Sequence, residues 1–235
     1  MKSILAKYRD ILNDFEDFET GAYRRERSAE PENLHSLKKD KGKVPEETDL
    51  SACSLDELGR LIRSCSRCPL GSLRKNAVPG EGSSNPEVML IGEAPGAQED
   101  ESGKPFVGAA GQYLDKWLDA VHLSRRENVF IANVIKCRPP NNRDPEESEM
   151  KSCFPYLLAQ IDLLKPRAIL CLGRFAGRKI TGMETSLRNM REKLHYFMNI
   201  PVIVTYHPSA VLRNPELRRP VWDDLRRLSD IIGKS

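Results

Sequence analysis

The residues of this 235-residue sequence best suited to chemistry are four cysteines and two polar side chains set in apolar runs. Cys65 and Cys68 form a CSRC pair followed by a Pro-Leu-Gly turn, and Cys137 and Cys153 stand alone further on. One close pair and two isolated thiols can together form a four-thiolate metal site. Their spacing matches neither the tandem CxxC of a zinc ribbon nor the clustered run of a bacterial ferredoxin, so zinc and an iron–sulfur cluster both stay open. Cys171, in the middle of AILCLG, reads as a small core hydrophobe. Cys53 precedes a helix and has no partner at close spacing. Asn133 interrupts the apolar run VFIANVI, His207 follows PVIVTY, and Gly92-Glu93-Ala94-Pro95-Gly96 follows VMLIG. A polar side chain at a strand end is usually structural. Three such features on one rim make a binding or catalytic site the sharper expectation.

The elements that must position these residues are legible as alternating patterns. VMLIG (88–92), VFIANVI (129–135), AILCLG (168–173) and PVIVTYH (201–207) are short, continuously apolar runs, as strands buried on both faces would be. Helical periodicity falls between them, over 109–122, over about 145–164, from about 174, and over about 220–232. The second of these is announced by Asp144 as N-cap, Pro145 at the first helical position and Glu147 at the third. In the last, Trp222, Leu225, Leu228 and Ile232 form the inward stripe. Strand alternating with helix means an α/β fold, a parallel sheet sandwiched between helical layers. In such sheets ligands bind outside the carboxyl ends of the strands, where Gly92, Asn133 and His207 fall.

The domain containing these motifs is predicted over 53–235, after an N-terminal extension over 1–52. The extension opens with an amphipathic helix at about 3–18, with Ile4, Tyr8, Ile11, Phe15 and Phe18 on one stripe. That helix could dock on its own domain or on a protein partner. Residues 20–50 are charged and poor in large apolar side chains, the composition of a disordered linker. No apolar run reaches the roughly 18 to 20 residues of a membrane span. The acids Asp10, Asp14, Glu16 and Asp17 argue against a secretory signal, so a bacterial or archaeal cytoplasmic protein is expected. In that compartment six cysteines point to metal rather than to a disulfide framework. Net charge is only +3, yet residues 165–235 hold 14 basic and 6 acidic side chains, a mild excess that suits a polyanion.

GEAPGAQEDESGKPFVGAAGQ, NVIKCRPPNNRDPEESE and YHPSAVLRNP, together with the CxxC-Pro-Leu segment, resemble in order and separation the signature blocks of the family 4, iron–sulfur uracil-DNA glycosylases. The resemblance covers about residues 55–230. It implies a four-stranded parallel sheet between helices and a structural 4Fe-4S cluster on Cys65, Cys68, Cys137 and Cys153. The implied partner is uracil-containing DNA, single- or double-stranded, met by a monomer that removes the base and leaves an abasic site for base-excision repair. Phe106 matches the stacking aromatic, Asn133 the reader of the uracil edge, and His207 the donor facing uracil O2. Glu93, Ala94 and Pro95 line the pocket floor by the same likeness. Glu93 becomes the candidate for organising water, and Glu99 the candidate for excluding a thymine methyl. Val211 or Leu212 would fill the gap left by the base and Arg213 would meet a phosphate. Arg74, Lys75, Arg218 and Arg219 are further phosphate candidates. A non-catalytic iron–sulfur DNA-binding module and a redox carrier are the competing readings.

Overall fold

The computed structural model describes residues 50–234, so the expected N-terminal helix and linker lie almost wholly outside the described residues. The strands are β1 (Glu81–Gly82), β2 (Val88–Gly92), β3 (Val129–Asn133), β4 (Ala168–Leu172), β5 (His195–Phe197) and β6 (Ile200–Thr205). They form one sheet in the order β1-β3-β2-β4-β6-β5. The four apolar runs make its parallel centre, with Gly92 opposite Asn133 and Cys171 opposite both Ile91 and Val204. Every residue of β2, β3 and β4 is buried, as helices on both faces demand.

The sheet has two antiparallel edge strands beyond the four expected, β1 on β3 and β5 on β6. They are two and three residues long, too short to show an alternating pattern. The β5–β6 turn has Met198 (φ 51°) and Asn199 (φ 64°) both left-handed, the geometry a two-residue hairpin needs to match strand twist.

In chain order the helices are α1 (Leu55–Arg63), α2 (Leu70–Leu73), α3 (Ala97–Ser102), α4 (Ala109–Ala120), α5 (Glu147–Leu164), α6 (Arg174–Thr181), α7 (Leu187–Arg191), α8 (Pro208–Arg213) and α9 (Arg218–Ile232). One core packs Leu114, Trp117 and Leu118 of α4 and Leu225, Leu228 and Ile232 of α9 against Val88, Leu90, Val129, Ile131 and Leu170. Each such side chain contributes roughly 1.5–3 kcal/mol by leaving water.

Two local expectations are corrected. Helix α5 begins at Glu147, not near 145, with Glu146 as cap and Glu149 reaching back to its amide at 2.8 Å. Arg143 grips the same carboxylate at 2.6 and 2.9 Å, which favours this later start. In α9 Trp222 points outward at 44% exposure, and Val221 fills the inward stripe with Leu225, Leu228 and Ile232. Spacings of 4, 3 and 4 from Val221 follow the helical period, and Trp222 lies about 100° round from that stripe.

Candidate functional site

The chain leaves β2 for β3 on one side and then crosses to β4 on the other, so the strand order reverses at the carboxyl end of β2. Gly92 ends β2 in register with Asn133, which ends β3. A side chain on Gly92 would begin 2.4 Å from Asn133 Oδ1 and 2.8 Å from Phe106 Cζ, so amide and ring meet directly over the glycine. The Phe106 ring centroid lies 5.5 Å from that of His207, tilted by 32°. Four segments far apart in sequence therefore bring Gly92, Phe106, Asn133 and His207 around one point.

Phe106 sits between α3 and α4 with a left-handed backbone, φ 51°, and only 7% exposure. Helix α4 reaches it at Gly111, where a Cβ would lie 1.7 Å from the Phe106 carbonyl oxygen. Glu99 Oε1 accepts from the amides of Val107 and Gly108 at 2.9 and 3.1 Å, and Oε2 accepts from Gly96 at 3.1 Å. Both carboxylate oxygens are thus engaged with backbone. Glu99 therefore clasps the pocket loop.

Asn133 is 1% exposed, and its Oδ1 is a buried acceptor with no hydrogen-bond partner. Leaving such an acceptor unpaired costs about 1–3 kcal/mol. Its backbone carbonyl accepts from the buried Lys136 Nζ at 2.9 Å. Lys136 Nζ also donates to Gln160 Oε1 at 2.7 Å, and Gln160 Nε2 donates to the Pro79 carbonyl at 2.8 Å. Burial lowers the Lys136 pKa to about 8, against the pull of Cys153 and Cys137.

His207 is the N-cap of α8, and its Nδ1 accepts from the Ser209 amide at 3.2 Å. An amide only donates, so Nδ1 carries no proton and the neutral ring has its hydrogen on Nε2. Burial, assisted by the charge of Arg213 and opposed by Glu99, lowers the His207 pKa to about 4. At neutral pH the ring is an uncharged donor. Burial and the charge of Asp144 raise the Glu93 pKa above the usual carboxylate value, with Arg174 opposing. Ala94 is half-buried beside it and Pro95 is buried.

Val211 and Leu212 part company. Val211 is 1% exposed within the core that includes α4, so it cannot be the wedge; Leu212 is 46% exposed. Arg213, Arg218 and Arg219 are exposed. Arg74 is no phosphate ligand here: it donates to Cys137 Sγ at 2.8 Å and to the carbonyls of Arg63 and Cys65 at 2.8 and 2.9 Å. Lys75 is exposed and pairs with Glu101 at 2.6 Å.

Cys65, Cys68, Cys137 and Cys153 line one cavity with Arg74, Lys136 and Tyr156. The Lys136 amide donates to Cys153 Sγ at 3.2 Å and the Arg67 amide to Cys65 Sγ at 3.5 Å. Burial raises the Cys153 pKa to about 12 and that of Cys137 upward, with Arg74 pulling Cys137 back. Among the described residues no three His, Cys, Asp or Glu side chains gather closely enough to hold a single metal ion. Cys171 is fully buried in β4, and Cys53 does not line the cavity. Sequence reasoning passed over Arg125, Lys136 and Ser209, which belong to no metal or nucleophile pattern and gain meaning only from what they touch.

The uracil DNA glycosylase superfamily model matches residues 79–226. The chain is 44% identical over 188 residues to the type-4 uracil-DNA glycosylase of Saccharolobus solfataricus, covering 77% of this chain and 87% of that protein. It is 47% identical over 179 residues to the type-4 enzyme of Pyrobaculum aerophilum, 73% of this chain and 91% of that one. The type-4 enzyme of Thermotoga maritima is 41% identical over 177 residues, 74% of this chain and 92% of its own. A family match over most of the domain joins a strand-end pocket holding an orphaned amide oxygen, an aromatic ring and a neutral imidazole. The chain belongs to the uracil DNA glycosylase superfamily.

Proposed function

We propose that the chain is a uracil-DNA glycosylase, releasing free uracil from single- and double-stranded DNA and leaving an abasic site. The observation that carries this reading is the buried, unpartnered Asn133 Oδ1 beside the Phe106 ring. Uracil presents N3–H to such an acceptor and O4 to the amide's donor. Cytosine reverses both groups and would leave the amide unpaired on both sides. Buried unpaired groups of this kind support discrimination by about 10⁴-fold or more.

The target nucleotide must first leave the stack, at a cost of a few kcal/mol in a duplex and less at a mismatch or in a single strand. Leu212 is the exposed apolar side chain available to enter the gap, and Arg213 follows it toward a phosphate. Phe106 supplies the face on which the everted base stacks. As the N1–C1′ bond breaks, the sugar becomes cationic and negative charge gathers on N1 and O2 of the base. The Nε2–H of neutral His207 can meet that O2. A preorganised donor of this kind contributes about 3–4 kcal/mol to the transition state. Water then adds to C1′, and the proton it loses ends on the departing uracil anion, which leaves as neutral uracil. The Glu93 carboxyl, its proton affinity raised by burial, is our candidate for orienting that water.

We also propose that the four cysteines hold a 4Fe-4S cluster. Four thiols spread around one cavity, with Arg74 and backbone amides donating to their sulfurs, suit a group larger than one ion. When bound it supplies cross-linking, joining the turn after α1, the segment after β3 and helix α5. The named relatives come from archaea and a bacterium, and we place the activity on DNA in the cytoplasm.

The deciding experiment is a uracil-release assay on DNA containing a single deoxyuridine, beside the same DNA with cytosine. Free uracil from the first alone supports the reading, as does strong impairment of Asn133→Asp and His207→Ala. Full activity in both variants removes the assigned roles, and no uracil from the purified chain removes the function.

A further inference from the structure

Arg125 lies in the turn between α4 and β3, outside every motif, with its side chain only 24% exposed. Its Nη1 donates to the Pro105 carbonyl at 2.9 Å, and its Nη2 to the carbonyls of Phe106 at 2.7 Å and Gly111 at 3.2 Å. Its Nε donates to the Asp115 carboxylate on α4. One planar guanidinium thus holds the carbonyls on both sides of the Phe106 Cα and ties them to the first turns of the helix. From the opposite side Glu99 takes the amides of Val107 and Gly108. Between the two grips sits Phe106, an aromatic in a left-handed conformation that such side chains seldom adopt unaided.

We infer that Arg125, aimed by Asp115, is the positioning residue for the base-stacking surface: it holds Phe106 in its left-handed turn so that the ring lies over Gly92 and beside His207. The inference deepens the glycosylase reading and rests on Phe106 being the stacking face. The fork matters, because a lysine in its place keeps the charge but cannot span three carbonyls and a carboxylate in one plane. A ring displaced by a fraction of its thickness no longer presents the base to Asn133 and His207 together, and misplacements near 1 Å cost about 100-fold in rate.

The experiment compares full-length wild type, Arg125→Lys, Phe106→Ala and the double variant. Three quantities are read: uracil release from single-stranded DNA, inhibition by free uracil, and affinity for DNA with a baseless abasic analogue. The expected result for Arg125→Lys is uracil release down about ten-fold or more, with free-uracil inhibition weakened in parallel. Abasic-analogue affinity stays within about two-fold of wild type, and in the Phe106→Ala background the lysine adds less than about two-fold, since the two residues act as one unit. Losses that multiply in the double variant overturn the inference, as does an equal loss of abasic-DNA affinity or wild-type activity in Arg125→Lys. Should Arg125→Lys not fold, Asp115→Asn, which keeps the guanidinium but releases its aim, carries the same comparison. An impaired Phe106→Ala beside an unimpaired Arg125→Lys removes the clamp alone. Wild-type activity in Phe106→Ala removes the stacking reading and the clamp with it.

Discussion

Gly92 and Asn133 end neighbouring parallel strands in register, and the space a methyl on Gly92 would need is taken by the Asn133 amide, 2.4 Å from where Cβ would stand. The glycine is required by close approach, not by an unusual backbone angle. Gly92→Ala should therefore push the amide and the Phe106 ring apart and lower uracil release by about 100-fold. Overpacking of this kind costs roughly 1–3 kcal/mol of stability. Steady-state assays and a denaturant titration of the same sample check both figures. Near-normal turnover would show that the amide and ring relax without loss.

Under the proposed role, the unpartnered Asn133 oxygen trades stability for recognition of the base. Asn133→Leu removes the orphaned acceptor and fills the space with an apolar group of similar size. Uracil release should vanish, while unfolding free energy stays within about 1 kcal/mol of wild type or rises. A large loss of stability would mean that the amide's other contacts matter more than its unpaired oxygen.

The titration of His207 has a definite sign. Its folded pKa of about 4 lies below the ordinary 6.5, so between those values the unfolded chain binds the extra proton. The contribution to stability is complete above about pH 6.5 and fades as pH falls toward 4. Stability measured between pH 7 and 4 should drop less steeply in His207→Gln than in wild type. The rate of uracil release should show no loss from imidazole protonation until pH nears 4. An acid limb above the ordinary carboxylate range that vanishes in Glu93→Gln would mark Glu93, whose burial raises its pKa.

The buried and exposed members of α8 should separate by phenotype. Val211→Ala opens a hole in the core and should cost about 2 kcal/mol of stability. Leu212→Ala should leave stability within about 0.5 kcal/mol. The leucine variant should slow uracil release from duplex DNA several-fold and leave single-stranded DNA almost untouched. Equal slowing on both substrates would place Leu212 outside base extrusion.

Loss of one thiol tests the proposed metal centre without relying on activity. Cys153→Ser should lower iron per chain and the visible absorbance of anaerobically purified protein, and drop the thermal midpoint by several degrees. Unchanged iron content would exclude Cys153 as a ligand.

The four central strands were legible because burial on both faces leaves unbroken apolar runs, and that in turn located the strand-end rim. Asn133 and His207 stood out as polar residues in apolar surroundings, and in the structure Phe106 shares the space over Gly92 with the first and neighbours the ring of the second. The edge strands escaped notice because two or three residues cannot display a period. Trp222 misled because an aromatic weighs more in a pattern than the valine beside it. Val211 and Leu212 could not be told apart within a helix of six residues, since either stripe fits its length. Glu99 was picked out by its motif, but its hold on backbone amides was not legible, and Arg125 acts chiefly on backbone carbonyls, which every sequence has.

The segment NVIKC, 133–137, begins with the amide of the strand-end pocket and ends with a thiol. Its lysine is fastened twice, by its ammonium to the Asn133 carbonyl within the segment and by its amide to the sulfur of Cys153 on α5. Four peptide bonds and one buried cation thus make a stiff tie-rod between two regions of otherwise different chemistry. Whatever braces the sulfur end braces the amide as well, and slack introduced at one is felt at the other.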